Sequence, residues 1–97
     1  MDASDICSKA ASLVGGDRAA THGDKVTNHE NIARLWNAYL GNEGIECVLN
    51  AKNVAVMMIL LKVARTSAGA HNMDDYIDAA GYAGCAGEIA ARLVEEE

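Results

Sequence analysis

VAVMMILLKVAR, residues Val54–Arg65, and DDYIDAAGYAGCAGE, residues Asp74–Glu88, decide how this chain folds. The first is a helix apolar on nearly every side until Lys62 and Arg65. A helix hydrophobic all round must be covered by other elements. The second opens with carboxylates and then turns almost entirely small. Lys62 and Arg65 are costly at the end of an apolar helix unless they are paired or hold an anion. Asp75, Asp78 and Glu88 are the carboxylates within reach of such a pairing.

The remaining elements follow from periodicity. Ser4–Val14 reads as a helix with Ile6, Ala10, Leu13 and Val14 on one stripe, Ser4 as N-cap and Gly15-Gly16 as its stop. A polar loop, Asp17–Val26, follows. The second helix is expected to start at Thr27, with Glu30 completing a capping box. Its stripe is Ile32, Leu35, Trp36, Tyr39 and Leu40, and Gly41 is its stop. The third is expected to span Ala51–Ala68 and end at Gly69; Asn72 or Asp74 caps the fourth, which runs toward a frayed acidic tail, Glu95–Glu97. No segment alternates like a strand. The expectation is a single domain over residues 1–97, all-α, with a four-helix bundle-like architecture.

Composition narrows the function classes. The 97 residues contain no Phe and no Pro, so the core is built from Ala, Val, Ile, Leu and Met. Burial alone stabilises so small and Ala-rich a domain weakly, which points to a homo-oligomer. Close backbone approach to another helix or to a ligand is the expected compensation for Gly81, Gly84 and Gly87 within the fourth helix, with close packing, including across an oligomer interface, the better supported of the two. Eight basic residues against 14 acidic ones, scattered rather than clustered, argue against a nucleic-acid polymer as partner. They leave room for a local pocket that holds a small anion. Cys7, Cys47 and Cys85 lack metal or disulfide spacing and read as small packing residues. The longest apolar run is far too short to span a membrane, and Asp2 and Asp5 precede any apolar run. The expected setting is therefore soluble, reducing and cytoplasmic.

Asp75, Asp78 and Tyr82 are spaced by three and four residues and share one helix face. Two carboxylates one turn apart can hold a hard divalent cation such as Mg²⁺, and through it phosphates; equally, Asp75 can favour the helix dipole while Asp78 pairs with Lys62 or Arg65. Lys62 and Arg65 share a face as well and can clamp a phosphate, or simply snorkel and cap. His22, Asn28 and His29 lie in and after the polar loop, where they can read a base or ribose. Glu30 caps its helix and sits four residues before Arg34. Trp36 is a core residue with an edge on which a base can stack. No nucleophile elbow, P-loop or dinucleotide fingerprint is present.

The phrases GGDRAATHGDKVTNHENIARLWNAYLG, VAVMMILLKVAR and DDYIDAAGYAGCAGEIA closely resemble a family of small phage and prophage proteins, over roughly Ala10–Leu93. Members of that family usually carry Tyr in place of His22, Pro in place of Lys25 and an acidic residue in place of Asn53. More remotely, the helical layout is similar to the MazG-type all-α nucleotide pyrophosphohydrolases, which set an E-x-x-E and an E-x-x-D pair around Mg²⁺. Asp75 and Asp78 match the second pair with Asp for Glu at its first position. The first pair has no clear counterpart: Lys62 and Arg65 occupy the neighbouring helix, and Glu30 is an isolated metal-ligand candidate. The resemblance implies a ligand that is a nucleotide or nucleotide-derived small molecule, in a bacterial host cytoplasm. It is either hydrolysed at a reduced Mg²⁺ site or sequestered without turnover as an immune signal. A purely structural interaction module is the remaining alternative.

Overall fold

The computed structural model describes residues 1–16 and 24–96. The described residues form four helices: α1 (Ala3–Gly15), α2 (Lys25–Asn42), α3 (Ala51–Arg65) and α4 (Met73–Glu96). No strand occurs among the described residues.

Local chemistry sets the helix ends. Asp2, not Ser4, caps α1: its carboxylate accepts from Asp5 N at 2.9 Å, and Asp5 returns a bond to Asp2 N at 3.1 Å. An ionised carboxylate satisfies an orphan N–H more strongly than a hydroxyl does. For the same reason Asp24 replaces Thr27 as the cap of α2. Its carboxylate accepts from the Thr27 backbone N and hydroxyl, both at 3.0 Å. Glu30 therefore belongs to no capping box. Gly41 does not stop α2 either. The helix ends in a Schellman motif in which Ile45 N donates to Leu40 O at 2.9 Å and Gly44 N to Gly41 O at 3.1 Å. Gly44 carries the left-handed φ of 79° that this motif requires.

Asn37 pins the connector to α3. Its amide accepts from Leu49 N at 2.8 Å and donates to Leu49 O at 2.9 Å, as a strand partner would. Asn50 and Asn53 then form a reciprocal capping box, each side chain accepting from the other's backbone N at 2.9 Å. An acidic residue in place of Asn53 would accept the same bond. Regular α3 ends at Arg65, three residues before the expected Ala68, and turns lead to Gly69 at φ 68°. Asn72 caps α4 by accepting from Asp74 N at 3.0 Å. α4 is helical through Glu96, into the acidic tail. Glu97 lies outside the described residues.

α4 is the spine. It packs most extensively against α3, then against α1, and only slightly against α2, which lies mainly on α3. Among the described residues α1 makes no packing contact with α2 or α3. The centre of the core is Ala51 and Ala55 of α3 against Ala86 and Ile89 of α4, flanked by Val26, Ile59 and Leu93. Small side chains let these two helices approach closely. Gly81 does the same against α1: an added Cβ would lie 3.3 Å from Val14 Cγ2. Gly84 and Gly87 face open space in this chain, so close approach within it explains only Gly81.

Half of α3 is left uncovered. Val54 and Ala55 are fully buried, whereas Val56, Met57, Leu60, Leu61 and Val63 are 39–61% exposed. Leu35 and Tyr39 of α2 also point outward instead of into the expected stripe, and His29 and Ala33 take the inward positions. Of the cysteines only Cys85 is buried; Cys7 and Cys47 are exposed and are not packing residues. No helix among the described residues is long and apolar enough to cross a membrane.

Candidate functional site

Since α1 and α2 both approach α4 without meeting each other, a cavity of about 510 Å³ opens between the three helices. Its position follows from helical spacing. Lys25, Asn28, His29 and Ile32 fall at i, i+3, i+4 and i+7 of α2. Asp78, Gly81, Tyr82 and Cys85 repeat that pattern on α4. Ala10, Leu13 and Val14 of α1 form the apolar wall. Ligand-binding cavities of about 300–1,000 Å³ are typically apolar with a few convergent polar groups, and this one fits that description.

Of the polar groups that line the cavity His29 is the most confined, only 8% exposed. Its Nδ1 lies 2.7 Å from the backbone oxygen of Lys25, one turn earlier. Its ring meets Tyr82 edge-on, with centroids 6.3 Å apart and planes at 72°. Lys25, at the start of α2, reaches across to Glu88 of α4 at 3.2 Å, and Glu88 also receives Arg92 at 3.2 Å.

The paired segments of α3 and α4 meet beside this cavity. Lys62 Nζ lies 3.0 Å from Asp78 Oδ2, with both side chains about 15% exposed. Arg65 Nε lies 3.9 Å from Asp75 Oδ1, a looser pair in which Arg65 is largely exposed and Asp75 is buried. The two cations thus neutralise the two aspartates in register, one turn apart. Asp78 has a further polar contact, so Lys62 does not hold it alone.

Of the residues expected to form a site, Asn28, His29, Asp78 and Tyr82 line one cavity. Lys62 and Arg65 reach it only through the aspartates. Trp36 is half-buried but is not among the lining residues. Glu30 is exposed on the other side of α2, lining a second hollow of about 370 Å³ with Arg34, Asn37 and Arg92. It is therefore not brought to Asp75 and Asp78, and it forms no ion pair with Arg34 among the described residues. His22 lies outside the described residues. Lys25, Ile32 and the α1 wall were not foreseen as lining residues. The shared i, i+3, i+4, i+7 register of α2 and α4 is the signal that marks them.

Asp24 borders the cavity and caps α2. The Thr27 backbone N–H and then its hydroxyl hold the Asp24 carboxyl below the ordinary aspartate value of 3.8. No group of three or more His, Cys, Asp or Glu side chains is placed to hold a metal among the described residues.

Residues 5–90 match the model of a family described as a domain of unknown function (DUF6378). The chain is 46% identical over 79 residues to the Gene 55 protein of Mycobacterium phage L5, covering 81% of this chain and 48% of that protein. It is 36% identical over 92 residues to the Gene 55 protein of Mycobacterium phage D29, covering 95% of this chain and 58% of that one. The chain thus spans about half the length of the phage relatives it matches. No solved structure matches it. The chain belongs to the DUF6378 family, a family with phage members.

Proposed function

We propose that this member of the DUF6378 phage family binds a nucleotide or nucleotide-derived small molecule in the cavity between α1, α2 and α4. The observation that carries the reading is the lining itself. An apolar wall faces an amide, an imidazole and a phenol ring from Asn28, His29 and Tyr82, in a volume of about 510 Å³. A flat heterocycle buries its faces against such a wall and leaves its edge to the polar groups. Lys25 at the cavity and Lys62 behind Asp78 each pair with one carboxylate among the described residues and retain ammonium N–H groups that a phosphate can take.

Binding is favoured over hydrolysis. A Mg²⁺-dependent pyrophosphohydrolase of the MazG type needs carboxylates from two helices. Here Asp75 and Asp78 come from one helix, each faces a cation, and Glu30 is on the far side of α2. This donor set does not fit a resident Mg²⁺, so no catalytic step is assigned to it. Sequestration of a nucleotide immune signal in the host cytoplasm is the role consistent with the phage relatives.

The uncovered face of α3 supports a homo-oligomer. Val56, Met57, Leu60, Leu61 and Val63 present no charge between them and are large enough to seat a second helix. If the chain is instead an interaction module, this face is its contact surface and the cavity stays empty.

Calorimetric titration with linear and cyclic nucleotides, with and without Mg²⁺, tests the proposal. Saturable binding without pyrophosphate release is the expected result. Pyrophosphate release would restore the hydrolase, and silence across the panel would leave the interaction module.

A further inference from the structure

His29 is more than nine-tenths buried, and its two ring nitrogens have unequal surroundings. Nδ1 is 2.7 Å from the carbonyl oxygen of Lys25. A carbonyl only accepts, so Nδ1 carries the proton and donates it. In the neutral ring Nε2 is then a bare acceptor. It has no hydrogen-bond partner among the described residues. Among the described residues no buried side-chain nitrogen or oxygen is left without a partner, so Nε2 is the part of the ring still reached from outside. His29 lines the cavity, which is the opening available to that atom. The backbone carbonyl fixes the tautomer, and the steeply inclined contact with Tyr82 restrains the ring plane.

We infer that His29 Nε2 is the specificity element of the cavity, accepting a hydrogen bond from an N–H donor on the edge of a flat heterocycle. The donor assigned is the exocyclic amino group of an adenine- or cytosine-type base; the ring N–H of guanine or uracil can make the same bond. The inference rests on the nucleotide-binding reading above and deepens it. A base that presents only a carbonyl at that edge meets a lone pair with a lone pair. A base that presents carbon leaves Nε2 desolvated without a partner. Either mismatch at a confined polar group weakens binding by roughly tenfold to a hundredfold.

The test compares ligands as well as variants, because His29→Phe can fail to fold. Adenosine and cytidine monophosphates are titrated against the full chain beside purine riboside monophosphate and the 4-deamino analogue of cytidine monophosphate, which lack only the amino group. Imidazole nitrogen NMR of the histidines is recorded alongside. The expected result is binding of at least one amino-bearing nucleotide, about tenfold or more tighter than its deamino analogue. The Nε2 resonance of His29 should be of the unprotonated type and should shift on binding. A folded His29→Phe chain should bind both members of the pair alike. Equal affinity of wild type for both members overturns the specificity role while leaving nucleotide binding intact. Protonated Nε2 in the free protein overturns it as well. Absence of binding by every nucleotide removes the binding reading itself, and this inference with it.

Discussion

Replacing Lys62 by Met probes the contact that joins α3 to α4. At 3.0 Å the Lys62–Asp78 pair gains about 5.5 kcal/mol of Coulomb energy at an effective dielectric of about 20. Desolvating two side chains that are each about 15% exposed offsets much of that gain. Met keeps the apolar stem packed and removes only the charge, so Asp78 is left mostly buried without its cation. A fully buried charge stranded in this way costs about 3–5 kcal/mol, and the residual solvent and the further polar contact of Asp78 bring that down to about 2–3 kcal/mol. In urea, with a slope of about 1.5 kcal/mol per M, the midpoint falls by about 1.3–2 M. The assay is chemical denaturation at one fixed protein concentration, since association shifts apparent stability. A double-mutant cycle with Asp78→Leu isolates the pair from the other contact of Asp78, with an expected coupling of about 1.5–3 kcal/mol. Because the pair is sheltered, salt should erode the coupling only slightly. A cost or a coupling below about 0.5 kcal/mol would place this pair with exposed ion pairs and refute the reasoning.

Further outcomes follow from other parts of the molecule. Gly84→Ala and Gly87→Ala meet open space and should each raise stability by about 0.5–1 kcal/mol in thermal denaturation; Gly81→Ala should gain less, because Val14 must yield to the new methyl. Equal gains at all three would mean that α1 does not press on Gly81. The carboxyl of Asp24 is held below 3.8 in the folded chain, so its contribution is complete above that pH and is lost as pH falls through the folded value. Melting temperature should therefore fall less steeply between pH 5 and 2 (roughly the titration window of an aspartate) in Asp24→Asn than in wild type; identical slopes would contradict the capping role. Leu60→Asp, at a position 61% exposed, should convert an oligomer to a monomer in sedimentation velocity without unfolding it. A wild-type chain that is monomeric at high concentration would remove α3 as an interface.

Much of the fold was legible because apolar period and chain punctuation agree along most of the sequence. The α3/α4 pairing was visible as an apolar helix and a small-residue helix that each lacked a partner, and it forms the core of Ala51, Ala55, Ala86 and Ile89. Helix starts were read less well. Ser4 and Thr27 are plausible caps, but Asp2 and Asp24 lie nearby and bind the orphan N–H groups more strongly. The end of α2 was placed at Gly41 because a glycine after an apolar stripe reads as a stop, and only backbone geometry shows that Gly44 is the one with positive φ.

The cavity was half legible. Asn28, His29, Asp78 and Tyr82 were singled out one helix at a time, as groups with ligand chemistry. That they line one space depends on α1 and α2 failing to meet, which periodicity does not encode. Glu30 shows the opposite error. It follows His29 directly in sequence, yet one residue is about 100° of helix rotation, enough to carry it into the hollow shared with Arg34 and Arg92.

Backbone amide NMR during nucleotide titration tests the central claim most directly. If the cavity between α1, α2 and α4 is the binding site, millimolar nucleotide should shift Asn28, His29, Asp78 and Tyr82 together, saturably, and leave Glu30, Arg34 and Arg92 in place. No shift with any nucleotide, or shifts confined to the Glu30 side of α2, would contradict it.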